Sequence, residues 1–143
     1  MPLTRVYLPL TAADLDDLAA GRSVGPAPRS AHAVTAALGR PGLTTDEEEL
    51  EHTAWLAAAD EAVLLSGDGR RRRVIGSADV DAATVGRPTA PDVASRVELS
   101  APLERRGFVS FHVDEEPGAT DAADLLWYDV TELDDVRALL AGG

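Results

Sequence analysis

The sequence contains no cysteine, and this absence excludes several kinds of chemistry at once. A chain without thiols forms no disulfide, no thiolate metal site and no cysteine nucleophile. Lysine, asparagine and glutamine are absent too, so every one of the 13 basic side chains is an arginine. Arginine therefore stands wherever another protein would use lysine, and an arginine alone is no sign of an anion site.

Positive charge and long apolar stretches are also scarce. The chain has 13 basic against 25 acidic residues and a formal net charge of -12, and a field of that sign repels phosphate groups. No stretch approaches the roughly 20 apolar residues that span a bilayer, and the first residues lack the basic and then apolar pattern of a signal peptide. We therefore expect a cytoplasmic protein that binds neither nucleic acid nor membrane.

Aromatic residues make up only 4% of the chain, although 45% of it is hydrophobic. A length of 143 residues is that of one ordinary domain, and we predict a single domain over residues 1–143. Its core must be packed from small side chains, because alanine is abundant. Such a core gains buried area from the close approach of its helices rather than from large side chains.

Short runs of β-branched and aromatic residues predict a sheet of about five strands. The predicted strands cover residues 3–8, 30–38, 73–80, 95–103 and 107–114. Polar and apolar residues alternate cleanly along the last two. This alternation is typical of a mostly antiparallel sheet with one packed face and one face that is wet or bound to a partner.

Three helices are predicted, at residues 12–20, 46–65 and 131–140, with a short helical segment from about residue 120. In the second helix Thr45 can cap the first turn, and acidic residues follow where the helix dipole favours them. On a helical wheel its apolar residues form one arc: Leu50, Ala54, Ala57, Ala58, Leu64 and Leu65. The order of elements indicates an α+β fold with helices mainly on one face of the sheet, and a ferredoxin-like sheet with an extra strand is one concrete version.

Four segments of the chain resemble a known family. They are residues 5–9 (Arg-Val-Tyr-Leu-Pro), 46–51 (Asp-Glu-Glu-Glu-Leu-Glu), 111–115 (Phe-His-Val-Asp-Glu) and 125–133 (Leu-Leu-Trp-Tyr-Asp-Val-Thr-Glu-Leu). Through these segments the chain resembles a family of small actinobacterial proteins of unknown function, over nearly its whole length. The resemblance implies a single-domain cytosolic protein, and it implies no activity, cofactor or catalytic residue.

His112 and Asp114 form the first candidate site, because side chains two apart on a strand share one face. With Ser110 beside them they could ligate a divalent cation or act as an acid and a base, if a third group came from elsewhere. The alternative is a polar strand face with solvated or hydrogen-bonded groups, since a lone His-x-Asp is a weak metal signal. His32 and His52 lie on other elements, and the sequence leaves open whether the three histidines converge.

The second helix carries two further candidates. Glu48 and His52 are four residues apart and therefore neighbours on its surface, and such a pair can hold a metal. The specific motif His-Glu-x-x-His is absent, however, and the helix dipole is a sufficient reason for acids there. Glu61 falls on the apolar arc, where a charge should not stay unpaired. We predict that Glu61 is at least partly buried and paired with an arginine such as Arg5.

Residues 70–73 are four consecutive arginines, the one basic run in an acidic chain. Such a run could receive a phosphate or an acidic partner, since arginine is suited to bidentate contacts with anions. The plainer interpretation is a solvated turn in front of a strand, partly neutralised by acids of the same chain.

Aromatic side chains supply the last candidates. We select the adjacent pair Trp127 and Tyr128 as a binding or dimer anchor. Core packing is the competing interpretation, because the chain has so few aromatic residues that each one is valuable in the interior. The predicted binding residues are Trp127, Tyr128, Arg5, Tyr7, His112 and Asp114.

No motif in the sequence indicates catalysis. No serine lies in a Gly-x-Ser-x-Gly elbow and no Gly-x-Gly-x-x-Gly opens a helix, so we predict no catalytic residue, no metal ligand and no cofactor. The first hypothesis is a non-catalytic accessory or regulatory module that binds a protein partner or forms a homodimer. The second is a small ligand- or metal-binding enzyme that uses His112 and Asp114, and it requires them to meet another His or Glu in a concave pocket.

Overall fold

The computed structural model describes residues 2–35, 46–65, 71–86, 93–119 and 121–141. These residues form six strands and three α-helices. In chain order the elements are β1 (Leu3–Pro9), α1 (Ala12–Ala19), β2 (Arg29–Ala33), α2 (Glu47–Leu65), β3 (Val74–Asp81), β4 (Arg96–Leu99), β5 (Phe108–Asp114), β6 (Leu125–Asp129) and α3 (Leu133–Ala141). Within the described residues, none of the helices combines the length and apolarity that a bilayer crossing needs.

All six strands belong to one sheet, in the order β4-β2-β1-β3-β5-β6. Every neighbouring pair is antiparallel, so the predicted α+β class and antiparallel sheet are confirmed, with one strand more than the expected five. β1 lies near the centre of the sheet, and β4 and β6 form its two edges. The first strand of the chain is therefore among the most deeply paired.

The strand order differs from the ferredoxin-like version considered above. That arrangement is built from split βαβ units, in which a helix connects two parallel strands of the sheet. Here α1 connects β1 to β2, and these strands are direct antiparallel neighbours, with Val6 opposite Ala33 and Tyr7 opposite His32. The short β1-α1-β2 connection returns the chain beside β1 in the opposite direction, which excludes the ferredoxin-like order.

Helices cover both faces of the sheet, two on one side and one on the other. Val6 and Leu8 of β1 point to the face where α1 and α3 contact each other and bury Leu15, Leu18, Leu133 and Val136. Tyr7 points to the opposite face and packs in a second cluster with α2. Because strand side chains alternate between faces, each strand contributes to both layers.

The inner side of α2 is mostly alanine. Leu50, Ala54 and Ala58 face the sheet as predicted, and Ala62 continues this row at a spacing of four. Leu64 was expected on the same arc, but it is 77% exposed, because the alanine row turns it to the outer side of the helix. The side chain of Leu65 lies outside the described residues. The small inner side chains let α2 approach the sheet closely.

β6 was not predicted as a strand. The chain forms a short 3₁₀ turn at Ala122–Asp124 and then pairs with β5 from Leu125 to Asp129. The predicted second strand is shorter than expected, since β2 ends at Ala33, and residues 36–38 of that prediction lie outside the described part of the chain.

Candidate functional site

A cleft of about 480 Å³ lies between α2 and the sheet, and we call it the α2 cleft. One wall is a single stripe of α2, formed by residues at positions i, i+3, i+4 and i+7. The floor comes from β1, β3, β5 and β6. The lining residues are Glu48, Glu51, His52 and Trp55 of the wall and Arg5, Tyr7, Ser77, Ser110, His112, Leu125 and Trp127 of the floor.

The register of the sheet explains why these floor residues meet. Tyr7 is opposite Ser77, which is opposite Ser110, so the three form one row across the sheet. In the adjacent row His112 is opposite Trp127. This second row ends at the edge of the sheet, where Trp127 remains 59% exposed. The cleft is therefore closed by the sheet below and open to solvent beside β6.

Aromatic rings form the inner part of the cleft. The ring of Trp55 stacks on His52, with centroids 5.6 Å apart, and meets the edge of His112 at 5.1 Å. The sequence has two tryptophans, Trp55 and Trp127, and both line this cleft. Indole faces offer apolar area and attract cations, so the cleft is a candidate binding surface.

Burial sets the charge of His112. The surrounding rings exclude water, and this desolvation lowers the pKa of the imidazole below its ordinary value. Among the described residues, neither His112 Nδ1 nor Trp55 Nε1 has a hydrogen-bond partner. His112 is therefore a neutral side chain at neutral pH, and two buried polar groups beside the cleft are unsatisfied.

The Tyr7 hydroxyl donates a hydrogen bond to a carboxylate oxygen of Glu51 at 3.2 Å. Burial, followed by the nearby Glu51 charge, raises the pKa of the Tyr7 phenol to about 12. The phenol therefore keeps its proton at neutral pH and remains the donor of this hydrogen bond.

Arg5, on the floor of the cleft, is already paired. Its Nε and Nη2 donate to the two carboxylate oxygens of Asp79 at 2.5 and 3.1 Å, and these bonds raise its pKa. In the described part of the chain no arginine forms an ion pair with Glu48 or Glu51. The cleft as a whole is therefore negative.

Four predicted binding residues meet in the cleft, namely Arg5, Tyr7, His112 and Trp127. Asp114 does not join them. It is fully buried, and it accepts hydrogen bonds from the backbone N, Nε and Nη2 of Arg73 at 2.7, 2.9 and 2.7 Å. The structure therefore gives Asp114 a partner other than His112, because Arg73 donates to both of its carboxylate oxygens.

Tyr128 is also separated from the cleft. Successive residues of a strand point to opposite faces, so Trp127 faces α2 while Tyr128 packs against the core on the side of α1 and α3. The structure therefore separates the two members of the predicted anchor, and only Trp127 lines the cleft.

Two described members of the basic run, Arg72 and Arg73, are held by groups of the same chain, whereas Arg71 is exposed. Arg73 is buried against Asp114, and Arg72 donates to the backbone oxygens of Leu139 and Glu115. Arg70 lies outside the described residues.

Glu61 is part-buried, as predicted, and its arginine partner is Arg96 at 3.4 Å rather than Arg5. Its Oε2 lies 2.5 Å from His32 Nε2, and His32 Nδ1 lies 2.9 Å from Ser95 Oγ. The hydrogen bond with His32 is the main reason that the pKa of Glu61 is lowered. Serine, histidine and acid thus follow one another as in a hydrolase triad. Ser95 is only 2% exposed, however, so its hydroxyl is closed to a substrate. We therefore interpret Ser95, His32 and Glu61 as a structural network.

The three histidines do not converge. His52 and His112 share the α2 cleft, whereas His32 belongs to the network with Glu61. Within the described ranges, no group of three or more His, Asp or Glu side chains is arranged to hold a metal ion. Glu48 and His52 both line the cleft, and the sequence analysis missed Glu51 and Trp55 beside them. Their spacing of three and four on α2 is the signal that could have found them.

Comparison with known proteins gives a family but no relative with a function. The model of a family of unknown function (DUF6912) matches residues 4–123 of the chain. No curated protein and no solved structure matches it. The matched range contains every lining residue of the α2 cleft except Leu125 and Trp127.

Proposed function

The chain belongs to this family of unknown function, as its resemblance predicted, and we propose that it is a non-catalytic accessory or regulatory module that binds a protein partner in the α2 cleft. One observation carries this proposal: Trp127 is 59% exposed at the open end of a concave cleft. A large aromatic side chain in that position is typical of the anchor residues of protein interfaces.

The shape of the cleft supports a partner segment rather than a flat interface. Its floor and wall combine aromatic rings with a few polar groups, among them the Tyr7 hydroxyl and the carboxylates of Glu48 and Glu51. Peptide-binding grooves have this composition, in which apolar area provides affinity and polar groups provide specificity.

The enzyme hypothesis has less support from the geometry. It required His112 and Asp114 to act together, and Asp114 is bound by Arg73 instead. Within the described ranges His112 Nδ1 has no hydrogen-bond partner, so no described acid orients the ring through that nitrogen. A general base needs a partner within hydrogen-bond reach of the proton it moves, so we favour binding over catalysis.

The proposal includes the compartment and the classes of partner. We place the protein in the cytoplasm, and we expect it to bind neither nucleic acid nor an anionic membrane. The net charge of -12 repels phosphate groups at long range, and this repulsion supports the expectation that the protein binds neither nucleic acid nor an anionic membrane.

A peptide-display selection against the whole protein tests the proposal. Peptides recovered on the wild type are titrated against Trp127→Ala and against Leu64→Ala. We expect Trp127→Ala to weaken binding about thirtyfold, as the loss of an interface anchor does. Leu64→Ala is the matched control, because Leu64 is an exposed apolar residue that does not line the cleft. Failure to recover any peptide, or equal binding to all three proteins, contradicts the proposal.

A further inference from the structure

We propose that the partner segment places a cationic side chain, an arginine or a lysine, in the α2 cleft while its backbone extends the sheet along β6. This inference rests on the proposed function and adds the chemistry of the partner. Its support comes from the charge of the cleft, its aromatic faces and the free edge of β6.

The charged groups of the cleft leave a negative balance. Arg5 is paired with Asp79 through two hydrogen bonds, and the half-buried His112 forms no ion pair with any described residue. Glu48 and Glu51 project from the wall without an arginine partner among the described residues. A cationic side chain is the group that these two carboxylates complement.

Aromatic faces add a second attraction for a cation. The Trp55 ring is stacked on His52, so the exposed Trp127 is the indole that can receive a cation. An indole face attracts an ammonium or guanidinium group that lies over it. Tyr7 adds a neutral phenol, whose hydroxyl donates a hydrogen bond to Glu51. Carboxylates and indoles around one cleft form the combination that recognises basic side chains.

The free edge of β6 explains how the segment is held. β6 pairs with β5, and no other strand within the described ranges pairs with it. Leu126 is 41% exposed on one face of this edge strand and Trp127 on the other. An added strand would cover both, and every second side chain of that strand would point to the α2 cleft.

A second copy of this chain is a poor occupant of the same edge. Acidic residues lie at both ends of β6, with Asp121 and Asp124 before it, Asp129 as its last residue and Glu132 after it. Antiparallel pairing of two β6 strands would bring these carboxylates together, and both copies carry a net charge of -12. The same carboxylates would attract the basic side chains of a positively charged segment.

Intrinsic fluorescence provides a local test, because both tryptophans of the protein line the cleft. The probes are three extended peptides, acetyl-Val-Arg-Val-Arg-Val-amide and its analogues with citrulline or glutamate in place of arginine. Citrulline has nearly the shape of arginine without its charge. Each peptide is titrated into the whole protein at low and at physiological salt.

We expect the arginine peptide to bind at least about tenfold more tightly than the citrulline peptide, with the difference reduced by salt. Glu48→Gln and Glu51→Gln should each weaken the arginine peptide about threefold. Glu49→Gln is the matched control, since Glu49 lies on the same helix and does not line the cleft. Trp127→Ala, with Trp55 as the remaining reporter, should abolish the binding of the arginine peptide.

The outcomes separate this inference from the proposed function. Equal binding of the arginine and citrulline peptides, lost in Trp127→Ala, overturns the cationic partner and leaves a protein-binding module. The same conclusion follows if no probe binds while display-selected peptides bind through Trp127. If sedimentation shows a dimer that Trp127→Ala dissociates, a second copy occupies the edge and the inference is wrong. If neither probes nor selected peptides bind, both proposals fail.

Discussion

At the scale of single residues, the pair of Arg73 and Asp114 is the most buried charged contact that the structure describes. Both side chains are almost inaccessible, and three nitrogens of Arg73 donate to the Asp114 carboxylate. Arg73 also donates to the backbone oxygen of Asp121, so the pair joins β3, β5 and the turn before β6. A charge left alone at this depth would be strongly destabilising.

Replacing Asp114 by Asn should therefore lower the free energy of unfolding by about 3–5 kcal/mol. Urea denaturation followed by circular dichroism measures this change. Glu104→Gln is the control, because Glu104 pairs with Arg106 at the surface and should change stability by less than about 0.5 kcal/mol. If Asp114→Asn and Glu104→Gln lowered the free energy of unfolding by similar amounts, burial would not be the reason that the contact of Asp114 with Arg73 stabilises the protein.

Glu61 makes stability depend on pH. Its pKa in the folded protein is lowered, chiefly by the hydrogen bond with His32, relative to about 4.3 for an ordinary glutamate. A carboxylate whose pKa falls on folding stabilises the protein above its unfolded pKa. That stabilisation is lost as the pH falls through the lower, folded pKa.

We expect Glu61→Gln to be less stable than the wild type by about 1–2 kcal/mol at neutral pH. The difference should shrink below about pH 4.3, where the unfolded carboxylate begins to take up its proton. Urea titrations of both proteins at a series of pH values provide the measurement. A difference that stays constant from neutral to acidic pH would contradict this account of the network.

At the scale of elements, the space above Gly76 of β3 has no room for a methyl group. A Cβ added to Gly76 would lie 2.6 Å from Phe108 Cε1 and 2.8 Å from Leu10 Cδ1. Both neighbours belong to the core between the sheet and the pair α1 and α3. Glycine is needed here because two side chains already occupy the space above the strand.

Gly76→Ala should lower stability by about 1–3 kcal/mol through overpacking. A double-mutant cycle with Phe108→Leu checks the cause, since the smaller side chain removes the nearest contact. We expect the alanine to be tolerated better in the Phe108→Leu background. An equal loss in both backgrounds would mean that the ring of Phe108 is not the obstacle.

The elements that the sequence predicted well are those whose pattern is local. The capping signals and acidic first turn indicated α2, and the alternation of polar and apolar residues indicated β5. β6 was missed because an edge strand exposes apolar residues on both faces, so Leu126 and Trp127 break the alternation. The predicted inner face of α2 differs from the observed one, because the alanine row rather than the leucines determines which side packs on the sheet.

The candidate site was predicted only in part, for the same reason. Trp127, Tyr7 and His112 were selected as binding residues from separate segments, and no local pattern shows that strand register places them in one cleft. The partner of Asp114 could not be found, since Arg73 is 41 residues away along the chain and meets it only through the pairing of β3 with β5.

At the scale of the whole molecule, the two layers have different tasks. The side covered by α1 and α3 holds most of the large apolar side chains and is the larger of the two cores. The side covered by α2 is packed from alanine and leaves the cleft beside β6 unfilled. One layer thus stabilises the sheet, and the other presents the surface that we propose binds the partner.

The position of β1 has a consequence for biosynthesis. β1 leaves the ribosome before the other strands of this sheet, yet it lies between β2 and β3, and its pairing with β3 continues to Asp81. At the usual rate of translation, one edge of the nascent β1 stays open for several seconds until that partner has been made. Throughout this interval the emerging chain offers an apolar strand edge to other nascent chains, and chaperones that shield such edges would act on this protein during those seconds.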